Sequence, residues 1–152
     1  MEGGIKTKTT AEHLLEVAEN AGVTVFDMRL NNKSIAINHR RGYVIAYDSK
    51  KFDTAADLAV VLAHENGHYF KGAFYTEDTP ELEVARCEYR ANAWAFRALC
   101  PVERIKEAIK NNGENLWEIA EYLGLPEDFV AAAIEYYKGK GISSETCFSS
   151  RA

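Results

Sequence analysis

"LAVVLAHENGHYFKGAF", residues Leu58 to Phe74, is mostly apolar but carries two of the chain's four histidines at its centre. Its length and spacing predict a helix that starts at Asp53 or Thr54, runs to about Phe70 and stops at Gly72. On a helix, positions four apart lie about 40° from each other around the axis, so His64 and His68 project from one side, one turn apart. Two imidazoles need that spacing to grip a single metal ion. Glu65 lies roughly 100° round from His64, close enough to work beside the ion without binding it. In a zinc hydrolase this glutamate takes a proton from an activated water and delivers it to the leaving amine. A His-Glu-x-x-His pattern arises by chance in on the order of one per cent of chains of this composition. A zinc site is the better reading of this stretch than two buried core histidines.

A catalytic zinc takes a third protein ligand and keeps a position open. No histidine follows the motif, since His13 and His39 both lie upstream. The third ligand must be a carboxylate or a cysteine from elsewhere. The best candidate is Glu88 in "EYRANAWAF", Glu88 to Phe96, on a second long helix expected over Glu81 to Leu99 and stopped by Pro101. Glu88 falls between Ala85 and Ala91, on the side expected to face the first helix. An unpaired carboxylate there would be costly to bury, and a metal removes that cost. Asn92, one turn further on, shares the stripe and is expected to support a ligand. Glu81 and Glu83 read as solvated carboxylates suited to a helix N-terminus. Cys87 adjoins Glu88 but would be an unusual ligand for such a site.

Around these helices the pattern is mixed. Thr10 to Asn20 reads as a first helix with Thr10 as N-cap. "VTVFDMRL" (Val23 to Leu30), "SIAINH" (Ser34 to His39) and "YVIAYD" (Tyr43 to Asp48) are β-rich and separated by turn residues. They are expected to form a three-stranded antiparallel meander. Shorter helices follow over Val102 to Lys110, Leu116 to Leu123 and Glu127 to Tyr137. The expected class is α+β: a small antiparallel sheet, the motif helix, a second ligand-bearing helix and a C-terminal helical portion. Residues 1–138 read as one domain, with 115–138 as a terminal helical pair. Residues 139–152, polar and small, read as a mobile tail.

Composition narrows the function. The chain has 152 residues, a formal net charge of −5 and 47% hydrophobic residues. An acidic chain argues against nucleic acid as the main partner. No apolar run is long enough to span a bilayer, and none follows the N-terminal lysines as in a secretion signal. Three cysteines, Cys87, Cys100 and Cys147, with no Cys-x-x-Cys pair, suit a reduced cytoplasmic protein with free thiols.

The pieces "LAHENGHYFKGAFY" (Leu62 to Tyr75), "CEYRANAWAFRALCP" (Cys87 to Pro101) and "NLWEIAEYLGLPEDFVAAAIEYY" (Asn115 to Tyr137) together resemble the ImmA/IrrE metallo-endopeptidases. The order, gaps and short length are similar to the phage and mobile-element branch. The resemblance implies a gluzincin-like site with one Zn2+ held by His64, His68 and Glu88, and Glu65 as base. It implies a bacterial cytoplasmic protease that cleaves a helix-turn-helix repressor encoded beside it, an anti-repressor activity. Cys stands at position 87, where the family often has His; this leaves the ligands untouched. Two other readings compete: a regulator that sequesters the repressor without cutting it, and an IrrE-like stress-response regulator that binds DNA. Intact Glu65 favours the protease, because a binder has no use for the base. The acidic chain without a basic domain counts against the DNA binder.

Three further features carry expectations. The strand Tyr43 to Asp48 is either an edge beside the site, open to an extended substrate, or the middle of the meander. Gly124 sits at a turn that mimics a helix-turn-helix, but the second helix carries Glu127, Asp128 and Glu135 and would repel phosphate. Peptide hydrolysis needs an oxyanion stabiliser, and Tyr75, in the loop after the motif helix, is the most available of Tyr69, Tyr75 and Tyr89.

Overall fold

The computed structural model describes residues 8–142. The part of the expected tail from 143 onward lies outside them. Six α-helices and three strands follow in the order α1 (Thr10–Asn20), β1 (Thr24–Asp27), β2 (Ser34–His39), β3 (Gly42–Tyr47), α2 (Ala55–Phe70), α3 (Glu81–Leu99), α4 (Val102–Asn112), α5 (Leu116–Leu123) and α6 (Glu127–Gly139). A short 3-10 turn over Ser49–Lys51, not expected from the sequence, links β3 to α2.

Thr9, not Thr10, caps α1. Its hydroxyl accepts from the Glu12 amide while the Glu12 carboxylate accepts from the Thr9 amide. That reciprocal box requires an acid three residues after the cap, and Glu12 stands at that distance from Thr9.

The sheet is mixed, not an antiparallel meander. Its order is β1-β3-β2. β3 runs parallel to β1 and antiparallel to β2. The six residues between Asp27 and Ser34 make the difference, because they can cross the two strand spacings, about 10 Å, over the end of β3. Asp48 anchors that crossing. Its carboxylate accepts from the Leu30 and Lys50 amides, and its own amide donates to Lys33 O. Tyr43 to Tyr47 therefore lie in the centre, and β2 is the edge strand beside the cleft.

α2 is the hub. Its first turn is capped by the Thr54 hydroxyl, which accepts from the Asp57 amide. Ala59, Leu62 and Ala63 belong to one buried cluster with Leu14 of α1, Ala95 of α3, and Ile105, Ile119 and Val130 of the C-terminal helices. A smaller cluster of Ala18, Val23, Tyr43 and Ile45 seals α1 to the sheet. Asn66, 1% exposed, donates from Nδ2 to Leu14 O and pins α2 to α1. Ala59, Ala63 and Gly67 recur every fourth residue on α2, and Ala91 and Ala95 answer them on α3. Without large side chains between them, the two backbones come close. A Cβ built on Gly67 would lie 2.4 Å from Ala91 O. Ala85, expected on the inner stripe of α3, is exposed, as is Leu82; the face toward α2 runs through Cys87, Ala91 and Ala95. On α6, the Tyr137 hydroxyl donates to Cys100 O and ties that helix to the end of α3.

Cys100 is completely enclosed, and burial pushes its thiol up to about 12. Almost no thiolate exists at neutral pH, and the thiolate is the reactive form. Cys100 is therefore expected to resist thiol reagents in the native protein and to label fully in denaturant, which peptide mapping after alkylation measures.

Candidate metal centre

The close approach of α2 and α3 brings three side chains together. His64 Nε2 and His68 Nε2 stand 3.0 Å apart. Glu88 places Oε2 3.2 Å from His64 Nε2 and Oε1 3.2 Å from His68 Nε2. Among the described residues this is a group of His and carboxylate ligand atoms that could hold a metal ion, all within 4.8 Å of one another.

The outer nitrogens fix what the inner ones can do. His68 Nδ1 lies 2.7 Å from Ala73 O, and a carbonyl only accepts, so the proton sits on Nδ1. His64 Nδ1 lies 2.7 Å from Asn92 Oδ1, with the same consequence. Both Nε2 atoms are then bare lone pairs aimed at each other and at a carboxylate. Such a convergence of acceptors is repulsive until a cation enters it. The spacing also fits. Ligand atoms held about 2.0–2.1 Å from a tetrahedral ion stand roughly 3.3 Å apart. Two imidazoles and a carboxylate, each imidazole steered by a carbonyl acceptor, form a donor set suited to a divalent transition metal.

The group lies on one wall of a cleft of about 340 Å³ lined by Ser34, Ala36 and Asn38 of β2, by Tyr43, and by Phe74 and Tyr75 after α2. Glu65 is 9% exposed and lines the same cleft. Ser34 Oγ donates to Glu65 Oε1 at 2.8 Å, which leaves Oε2 for another proton. Glu88 is only half-buried, so its carboxylate keeps partial access to solvent.

The structure thus brings His64, His68 and Glu88 together, sets Glu65 beside them, and places Asn92 behind His64. Tyr75 is also near, but its hydroxyl donates to Glu88 Oε1 at 2.7 Å. That bond, with partial burial, raises the Tyr75 hydroxyl to about 12, so it stays protonated through the neutral range. Its proton is directed at a ligand oxygen, not at the open cleft. Sequence reasoning missed Ser34, Tyr43 and Gly67. Ser34 and Tyr43 sit on strands whose partners were misread. Gly67 had a visible signal: it is the glycine inside the motif, on the helix face four residues after Ala63.

Replacing Asn92 with alanine removes the acceptor that holds His64 in its ligating tautomer. Metal affinity is expected to fall about 10- to 100-fold with the fold intact. Competition with a chromogenic chelator reads this directly.

Among the described residues, no helix is long and apolar enough to cross a membrane. Comparison with curated proteins and with solved structures finds no match. A family model does match: that of the IrrE N-terminal-like domain, a peptidase family, over residues 18–135. That span takes in the sheet, the motif helix, Glu88 and the first two thirds of α6. The chain belongs to the IrrE N-terminal-like domain family of M78 peptidases.

Proposed function

We propose that this protein is a zinc-dependent endopeptidase that cuts a helix-turn-helix repressor at one site in the bacterial cytoplasm. The observation that carries the catalytic part is the convergence of His64, His68 and Glu88 on one point beside Glu65, in a cleft edged by β2. His64, His68 and Glu88 would hold the ion. When bound, zinc supplies Lewis-acid polarisation of the scissile carbonyl and acidifies a water for attack.

The chain's own groups do the rest. Glu65 accepts the proton of the attacking water on its free oxygen and returns it to the departing amine nitrogen. Ser34 holds the other oxygen and so fixes which way the carboxylate faces. Asn92 and Ala73 O keep the imidazole protons outward. Tyr75 steadies Glu88. The rim of β2 lies along the cleft, where an extended peptide can be held close to the reacting atoms.

The repressor as substrate is supported by the similarity of the three sequence motifs to anti-repressor peptidases. Co-expression of the chain with the repressor encoded beside it, wild type against Glu65→Gln, tests the proposal. Mass spectrometry is expected to show one discrete cut that depends on Glu65. An intact repressor that still loses its operator would replace proteolysis with sequestration.

A further inference from the structure

The sheet has two apolar faces, and helices cover one of them. On the inner face Tyr43, Ile45, Val25 and Ala36 pack within the cluster closed by Ala18 of α1. The strand register assigns the outer face. Ile37 pairs with Val44, which pairs with Thr24, and Ile35 pairs with Ala46, which pairs with Phe26. Residues paired in register share a face. Phe26, Ile35, Ile37 and the adjoining Met28 are 51%, 43%, 49% and 50% exposed. Most of a chain's single exposed apolar residues need no explanation, but a contiguous set across neighbouring strands marks an interaction surface. A sheet with a parallel pair and apolar residues on both faces ordinarily has a layer on each side.

Charge indicates what that layer is. Residues 24–51 hold six Lys or Arg (Arg29, Lys33, Arg40, Arg41, Lys50 and Lys51) and two Asp, a net +4 in a chain of net −5. Arg40 and Arg41 form the β2–β3 turn at one end of the face, and Arg29 follows β1 at the other. None of these three arginines is in a salt bridge among the described residues. Three strands span about 10 Å across, the diameter of one helix.

We propose that the outer face of the sheet docks an amphipathic helix of a protein partner, its apolar stripe on Phe26, Ile35 and Ile37 and its acidic flanks against the arginines at both ends. In the peptidase reading this surface is an exosite that recruits the substrate beside the cleft, since β2 belongs to both; that role rests on the reading above, and the docking itself does not. An anionic membrane is disfavoured because the rest of the chain carries the excess negative charge.

The probe is a synthetic helix with a leucine stripe flanked by glutamates, and a twin with lysine in place of each glutamate. Binding to the full chain is read by fluorescence anisotropy. The glutamate helix is expected to bind at least about tenfold tighter than its twin. Ile37→Glu, and separately Arg40→Glu with Arg41→Glu, should each weaken it at least about tenfold, with circular dichroism and metal content unchanged. The turn variant touches no packed side chain and covers the case where Ile37→Glu misfolds. Equal binding of the twins, no saturable binding, or affinity unchanged in both variants would overturn the proposal. So would tighter binding to anionic vesicles or duplex DNA, or a self-association that Ile37→Glu abolishes. Helix binding by a wild-type, metal-loaded chain that leaves the repressor uncut would sink the peptidase reading and leave the docking surface standing.

Discussion

The Glu65→Gln protein is expected to cleave its substrate about 10²- to 10⁴-fold more slowly than wild type, while binding metal as well as wild type does. Glutamine is close in size and keeps an oxygen for the Ser34 hydroxyl, which donates to Glu65 Oε1 at 2.8 Å. It cannot take a proton at neutral pH. The ligand atoms of His64, His68 and Glu88 are untouched, so metal content should not change. Turnover of the purified repressor, measured alongside metal content, separates the two effects. A variant that loses both would mean that Glu65 helps hold the ion; a variant that loses neither would remove it from the chemistry.

Gly67→Ala is expected to have the largest effect of any single methyl group on this fold. The added Cβ would sit 2.4 Å from Ala91 O and 2.9 Å from the Ala91 C and Cα atoms. All three are backbone of the facing helix, so no side chain can swing away. α2 and α3 must move apart. Overpacking of a tight interface typically costs about 1–3 kcal/mol, and a clash with backbone belongs at the upper end. For a chain of this size, roughly 3 kcal/mol lowers the melting temperature by about 6–12 °C. The same movement pulls Glu88, on α3, away from the two histidines on α2, so metal affinity should fall with stability. Thermal melts with and without added zinc measure both. An unchanged melting temperature would mean that the helices are not held at this distance.

How much of this was legible beforehand differs from element to element. The helices carrying the site were readable because their periodicity is strong and their stops are explicit: Gly72 after α2 and Pro101 after α3. The pair His64 and His68 follows from helical geometry alone. Glu88 was reachable because a metal site with two histidines needs a third ligand and the next helix offers a carboxylate toward the core. The antiparallel pairing of β2 with β3 was readable, but the partner of β1 was not. Period-two patterning locates a strand and its faces but does not say which strand lies beside it. The parallel pairing of β1 with β3 depends on a six-residue crossing and on the hydrogen bonds of Asp48, a residue that looks like ordinary turn material in sequence. The sequence left Tyr43 to Asp48 open between an edge and the middle of the sheet; the structure puts it in the middle and makes β2 the edge beside the cleft, which is why Ser34 went unnoticed. The exposure of Ala85 has a similar origin, since the inner stripe of α3 is chosen by the small residues facing Gly67 and not by hydrophobicity.

The most direct test is metal content. Wild-type protein purified without chelator, dialysed against trace zinc and measured by inductively coupled plasma mass spectrometry should hold about one ion per chain. Glu65→Gln should hold the same, while His68→Ala and Glu88→Ala should each hold almost none under the same dialysis, with circular dichroism showing them folded. A folded wild-type protein that takes up no divalent ion, or a folded His68→Ala protein that retains a full equivalent, would contradict the assignment of His64, His68 and Glu88 as a metal centre.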